Sequence, residues 1–536
     1  MKHYDTYFDE YMNLAPSLND CLNISAYKHL KKEMENPFSL DQIEKQKELH
    51  TKYLNILRKK KRPNVYDKTL MYMCNDVLES YQYKFELIPI NHQENILYYI
   101  LEMASGEGIY TFNKKQDYHD FITKMCKFND IVESIIYNFK KGISLKYTLP
   151  KILVEKLVKQ IEELLSSKSY LNKSIKYKLD YDFNAKCASI FVPPLKNLLK
   201  FLKSEYLSKA RSSIGMIWLP NGLREYKYLV KSSTTLKDIT IDNIHKYGLQ
   251  EVKRINDEMN KIKDKLEFKG TLKEFNALLG KRKDLNFKSK ADLLEHYKNE
   301  LKSINNTIMK TQFHANVKGK CQIIPVPKVN ENFSAEAYYM GGDLEQKRQG
   351  KFYINLKNYK ENNKIEIESL TLHEANPGHH YQITYVNESN DIPLFLKCYP
   401  NDAYQEGWAL YCENLGKYKT YESYYGKLVL EMIRALRLVV DTGIHGYGWS
   451  YNKTFNYYKK YSFDSDSKIH DQILRYIALP SQALSYKVGE RIILDLKKQF
   501  KTDFNNPVKS HKSSKDFHQK ILEHGPLPLE ILKELF

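Results

Sequence analysis

The sequence predicts a mainly α-helical protein with one small β-sheet, and three features of the chain lead to that reading. Apolar residues recur every three to four positions along residues 1–140, 151–166 and 240–266. The texture changes between about 321 and 357, where short β-branched and aromatic runs are punctuated by Gly and Pro. From 364 to 500 the helical spacing returns. No internal repeat and no long linker interrupts the 536 residues. The chain therefore reads as one large domain, 1–536, with a helical N-terminal lobe over 1–320 and a second lobe over 321–536 that holds the sheet.

In chain order, the first 140 residues alternate acidic and basic residues around apolar positions, the mark of amphipathic helices. KILVEKLVKQIEELLS (151–166) predicts another. IFVPPLKNLLKFLKSEYLSKAR (190–211) carries Pro193-Pro194 near its beginning, where a missing N–H is tolerated, so a helix is expected to start there. TIDNIHKYGLQEVKRINDEMNKIKDKL (240–266) predicts a long helix. CQIIPVP, AYYMGG and GKFYINL then give three short strands.

Charge and cysteine usage exclude several classes. Lys and Arg number 84 against 65 Asp and Glu, a net charge of +19 that raises the question of nucleic acid. The excess is spread along the chain, however, and Arg58–Arg62 is its one dense run. No RNP-like aromatic motif, zinc finger or basic zipper accompanies it, so no specific nucleic-acid partner is expected. No stretch reaches the ~18 apolar residues of a membrane-spanning helix, so no membrane partner is expected either. The seven cysteines are odd in number, scattered and without a CxxC pair, which points to a reducing compartment. The first twenty residues hold no apolar segment of a secretory signal, and a cytoplasmic location is the expectation.

Chemistry concentrates in Ser369–Thr384, SLTLHEANPGHHYQIT. Two histidines at i and i+4 on a helix hold zinc in many hydrolases, with a Glu beside the first acting on the attacking water. Here the position four after His373 is Pro377, so that spacing fails. On a straight helix His379 would sit ~240° around from His373, and His380 would share its face but lie ~10.5 Å along the axis. Pro377 cannot donate to the carbonyl of His373, and Gly378 accepts unusual backbone angles. A looped-out Pro-Gly would return His379 to roughly the i+4 place, leaving His380 as ligand or substrate contact. A third ligand comes from EGWALYCE (406–413), whose carboxylates Glu406 and Glu413 are nearly two turns apart and share a face. One can bind metal while the other steadies a ligating histidine. An acid among Trp408 and Leu410 is costly unless paired or metal-bound.

HEANPGHHYQ (373–382) and EGWALYCE carry a resemblance to a large bacterial family known only as domain of unknown function 885, regarded as candidate zinc metallopeptidases. PINHQENI (89–96), YNFKKGISLKYTLPK (137–151), YGLQEVKRINDEM (247–259), RLVVDTGIHGYGWS (437–450), LPSQALSYKVG (479–489) and GPLPL (525–529) extend it along most of the chain. The 406–413 helix is also similar to the third-ligand helix of gluzincin oligopeptidases and carboxypeptidases.

The resemblance implies a helical, two-lobed body around a central channel, with the sheet near the active site. It implies one zinc per chain on His373, His379 or His380, and Glu406, supported by Glu413, with Glu374 as general base on a peptide substrate. The strand Arg348–Leu356 would offer its edge to that peptide, with Tyr353 either touching it or packed in the core. Asp441 and His445 match the family's DTGIH motif and Tyr486 its SYKVG motif, and His445 and Tyr486 are expected to donate to the oxyanion. Arg434 and Arg437 are expected to bind a substrate carboxylate or to pair with the acids around the metal.

Overall fold

Helices dominate, as the periodicity predicts. The computed structural model describes residues 3–106, 110–167, 175–314, 316–328, 331, 334–345, 348–502 and 513–536. The amphipathic runs near 151 and 240 form Lys151–Ser167 and Ile241–Lys265, the latter capped by the Thr240 side chain, which accepts from the Asn243 N–H. The helix expected to begin at Pro193 instead begins at Phe183, capped by Asp182, and runs through both prolines to Phe201. The carbonyls that Pro193 and Pro194 leave without donors belong to exposed Ser189 and half-buried Ile190, where water can serve them.

The chain forms two compact units. One comprises Met1–Tyr228, Ile444–Tyr451 and Gln472–Pro480; the other comprises Leu229–Gly443, Asn452–Asp471 and Ser481–Phe536. The division falls at Tyr228 and Leu229 rather than at 320. The long helix α1 (Ile241–Lys265) joins the second unit because Gly248 brings its backbone against Leu438 and Val439.

In the first unit, described by itself, helices pack on interlocking rings. Phe112, Tyr118, Phe121 and Phe183 lie 4.6–5.9 Å apart, mostly edge to face. Lys124 is buried there and paired with Asp20, which also accepts from the Tyr99 hydroxyl.

The second unit holds the sheet, β1 (Gln322–Pro325), β2 (Ala337–Met340) and β3 (Lys351–Ile354), in the order β1-β3-β2. β1 runs parallel to β3 and β2 antiparallel, with Phe352 facing both Ile323 and Tyr339. β3 is thus the central strand. The Arg348–Leu356 segment has no free edge over its paired residues, and the outer edge next to β3 belongs to β2. Phe352, Ile354, Ile323 and Leu356 pack with Leu293 and Tyr297 of α2 (Lys290–Ile304) and Ile367 of α3 (Ile367–Glu374) to form the core beneath the sheet.

Four further helices complete the frame around the motifs singled out in the sequence: α4 (His379–Glu388), α5 (Asp402–Glu413), α6 (Tyr421–His445) and α7 (Ser485–Thr502). Buried Lys487 on α7 pairs with Glu431 of α6 at 2.6 Å, with Glu490 at 2.5 Å and with Glu251 of α1 at 3.1 Å. Lys427 adds a second cation to Glu431 at 2.5 Å. α5 and α7 cross at two glycines: a Cβ on Gly407 would lie 2.6 Å from the Gly489 Cα, and one on Gly489 would lie 2.0 Å from the Ala403 carbonyl oxygen. Among the described residues no helix is long and apolar enough to cross a membrane, and all seven cysteines are free thiols.

The crossing gives a stability prediction. Gly407→Ala must push α5 off α7 and is expected to cost about 1–3 kcal/mol or more, as overpacked contacts do. A urea-unfolding midpoint unchanged from wild type would show that the two helices have slack.

Candidate metal centre

The site begins where α3 stops. His373 and Glu374 are its last residues, and Ala375 (φ −100, ψ −115) and Gly378 (φ −70, ψ −134) leave the helical region before α4 restarts at His379. Only glycine fits at 378: a Cβ there would lie 1.9 Å from the carbonyl oxygen of His373 and 2.4 Å from that of Leu372. The Trp408 indole N–H donates to the Pro377 carbonyl at 2.8 Å, so α5 itself holds the turn. His379 is thereby brought against His373, the ring centroids 4.9 Å apart and the planes perpendicular.

His380 goes elsewhere. Its Nδ1 accepts from the Tyr339 hydroxyl at 2.9 Å and its Nε2 donates to the Gly319 carbonyl at 3.2 Å. Successive residues of a helix point ~100° apart, so only one of the pair can face α5. His380 is therefore not among the converging ligands, and the choice between the two histidines falls to His379.

α5 supplies the carboxylates from one face. Glu406 Oε2 lies 3.4 Å from His373 Nε2 and 3.5 Å from His379 Nε2. Those separations are long for hydrogen bonds but close to the ~3.3–3.4 Å edge of a tetrahedron whose centre is ~2.0–2.1 Å from each corner, the zinc distance for imidazole and carboxylate. His373, His379 and Glu406 form the one such ligand group found among the described residues. Glu406 Oε2 is buried with no hydrogen-bond partner. An orphaned buried carboxylate oxygen facing two imidazole nitrogens fits a shared divalent cation.

Glu413, two turns on, holds the far side of His373. Its Oε1 is 2.8 Å from His373 Nδ1 and its Oε2 accepts from the Ser369 hydroxyl at 2.7 Å. Arg434 Nη2 stands 3.8 Å from the same Oε1. Burial pushes the carboxyls of Glu406 and Glu413 up, yet His379 and His373 hold Glu406 well below the usual carboxylate range, and Arg434 with His373 lowers Glu413. Burial alone would lower His373, but Glu406 and Glu413 raise it to about 9. The cluster thus favours positive charge at its centre. Glu374 sits beside it, its carboxyl pushed up by burial and by Glu406, with the two histidines and the Tyr339 main-chain N–H opposing.

The remaining predicted residues divide. Arg434 pairs with Glu413, as one of its two expected roles required, and donates to the Leu430 carbonyl at 3.1 Å. Arg437 lies 4.3 Å over the ring of Tyr486. Tyr353, on the central strand, is buried and stacked on Tyr338 at 5.0 Å, the packed reading rather than a substrate contact. Asp441 accepts the Ser481 N–H on both oxygens at 3.1 Å and so serves a turn. His445 belongs to the first unit: it is fully buried, its Nδ1 accepts from the Met216 N–H at 3.2 Å and its Nε2 donates to the Tyr476 carbonyl at 2.9 Å. With both nitrogens engaged it has no proton to offer an oxyanion, and that expectation is corrected. Two residues of the site were given no part in it from the sequence, Ser369 and Trp408. The signal for Ser369 was its place one turn before His373 in an otherwise apolar run, and for Trp408 its place two residues after Glu406.

Comparison with known proteins matches residues 22–535 to a family model described as "Bacterial protein of unknown function (DUF885)". No curated protein matches. The fold is similar to the crystal structure of a "putative lipoprotein" from Colwellia psychrerythraea, with TM-score 0.87 and 23% identity over 100% of this chain and 99% of that one. It is also similar to a "putative lipoprotein of unknown function" from Shewanella oneidensis, with TM-score 0.78 and 16% identity over 99% and 98%.

The two histidines give the test of the site. His379→Ala is expected to abolish stoichiometric zinc binding, whereas His380→Ala keeps one zinc per chain with affinity within about tenfold of wild type. Metal analysis and competitive zinc titration of the two variants read the difference, and the reverse pattern would overturn the ligand assignment.

Proposed function

The chain belongs to the DUF885 family of bacterial proteins of unknown function, and from that premise we propose that it is a zinc-dependent peptidase acting on peptides or unfolded segments. The observation that carries the reading is the buried, unpartnered Glu406 Oε2 at 3.4 and 3.5 Å from two histidine nitrogens, with a second carboxylate, Glu374, at its side. His373, His379 and Glu406 would hold the zinc. When bound, zinc supplies Lewis acidity, polarising a carbonyl and making water a nucleophile near neutral pH.

The chain's own groups supply the rest of this reading. Glu374 takes the proton of the attacking water and hands it to the leaving amine, a role suited to a carboxyl whose proton affinity is raised by burial. Glu413 keeps His373 turned with Nε2 toward Glu406. The outer edge of β2 is where an extended peptide adds its main chain. In that ladder the Asn355 N–H donates to the Glu336 carbonyl at 2.8 Å, so Ala337, next along, points its main-chain groups away from β3. Tyr486 is the donor proposed for the oxyanion, oriented by the Arg437 guanidinium above its ring. A cytoplasmic location belongs to the same reading, resting on seven cysteines that stay thiols. The name lipoprotein attaches to the two similar structures themselves.

The test is hydrolysis of a mixed-sequence peptide library by zinc-loaded protein, expected to stop on chelation and resume on adding zinc back. Glu374→Gln should retain its zinc and lose on the order of 10²–10⁴-fold in turnover, the usual worth of a general base. Zinc-loaded wild type that leaves every peptide intact, or a Gln variant with full turnover, would remove the peptidase reading.

A further inference from the structure

Glu413 is held by more than the histidine it serves. Ser369 and His373 are four residues apart on α3 and so present their side chains one above the other on one face. Glu406 and Glu413 are paired in the same way on α5. The two helices meet such that Glu413 answers both residues of α3: Oε1 at 2.8 Å from His373 Nδ1 and Oε2 at 2.7 Å from the Ser369 hydroxyl. Ser369 is 0% exposed, Glu413 2% and His373 3%, so water cannot replace any partner in this set. The main chain of Glu413, at the end of α5, is held by the Tyr418 hydroxyl, which donates to its carbonyl at 2.6 Å and also meets the Ser369 side chain. Arg434, 3.8 Å from Oε1, supplies charge but is too far for a hydrogen bond.

We infer that Ser369 is a positioning residue of the metal site: its hydroxyl fixes the rotation of the Glu413 carboxylate, and through it the orientation of the His373 ring. This rests on the zinc site proposed above. Without the hydroxyl, Oε2 is a buried acceptor with no donor, and the carboxylate turns in search of one. The Oε1 bond then no longer selects the ring orientation that aims Nε2 at Glu406. Partners behind a ligating histidine are worth about 10–100-fold in metal affinity, and Ser369 acts one bond further out, so the lower end applies.

The experiment is zinc affinity by competitive titration on the full-length protein, for wild type, Ser369→Ala, Glu413→Ala and the double variant, with Ser369→Thr as the hydroxyl-retaining control. Ser369→Ala is expected to bind zinc about tenfold more weakly, and Ser369→Thr to stay near wild type. In the Glu413→Ala background, Ser369→Ala should cost nothing further, because the carboxylate through which it reaches the metal is gone. A generally loosened fold would instead multiply the two losses, and that result, or a Ser369→Ala affinity equal to wild type, overturns the inference while leaving the zinc site standing. Wild type that binds no zinc overturns both. Should Ser369→Ala fail to fold, Ser369→Cys, nearly the same shape but a poor donor, carries the same expectations.

Discussion

The second unit is organised by one electrostatic demand, that Glu413 and the half-buried Glu406 carry charge at a helix interface. A buried carboxylate is tolerated only when its oxygens are answered. Glu413 is answered by His373, Ser369 and Arg434. Glu406 Oε2 has no hydrogen-bond donor and faces two imidazole nitrogens instead. These bonds tie α3 to α5 in a single register. A slip of one residue would turn His373 and Ser369 by ~100° away from the carboxylates and leave buried charges without partners. The surrounding packing keeps α5 where that register needs it. Gly407, immediately after Glu406, lets α7 come close, and Trp408 reaches across to the turn that presents His379.

Much of this was legible in the sequence because periodicity reports which face of an element is buried. The long helix near 240–266, the three strands between 321 and 357 and the shared face of Glu406 and Glu413 follow from spacing alone. The failures are of two physical kinds. Strand order is not written in local pattern: GKFYINL reads as a strand, but nothing in those residues says that β1 and β2 flank it on both sides. Side-chain partners contributed from far along the chain are equally silent. His445 sits in a motif that reads as functional, yet its nitrogens are taken up by Met216 and Tyr476. Pro193 and Pro194 show the limit of a local rule, since a helix started earlier by the Asp182 cap continues through them where its unserved carbonyls face water.

The choice between His379 and His380 was undecidable from spacing for a related reason. The segment is two helices joined by a turn, and the turn's geometry is set by what packs on it. Gly378 sits against the carbonyl end of α3 and Pro377 is held from α5, so the phase with which α4 restarts belongs to tertiary contacts rather than to the residues of the turn. Once that phase is fixed, His379 faces α5, and His380 must find its partners on the other side, in Tyr339 and Gly319.

Tyr339 therefore touches both halves of the broken helix. Its hydroxyl donates to His380 on α4, and its main-chain N–H helps to lower the Glu374 carboxyl on α3. On the peptidase reading this limits how a substrate can add to β2. A peptide that paired with the Tyr339 N–H would compete with one of the groups that favour Glu374 as a carboxylate. Loss of that donor would raise the proton affinity of Glu374 further. Backbone recognition and readiness of the base are then linked through one N–H, and a substrate that leaves this N–H alone must be held by the main chain of Ala337 and the carbonyl of Tyr339.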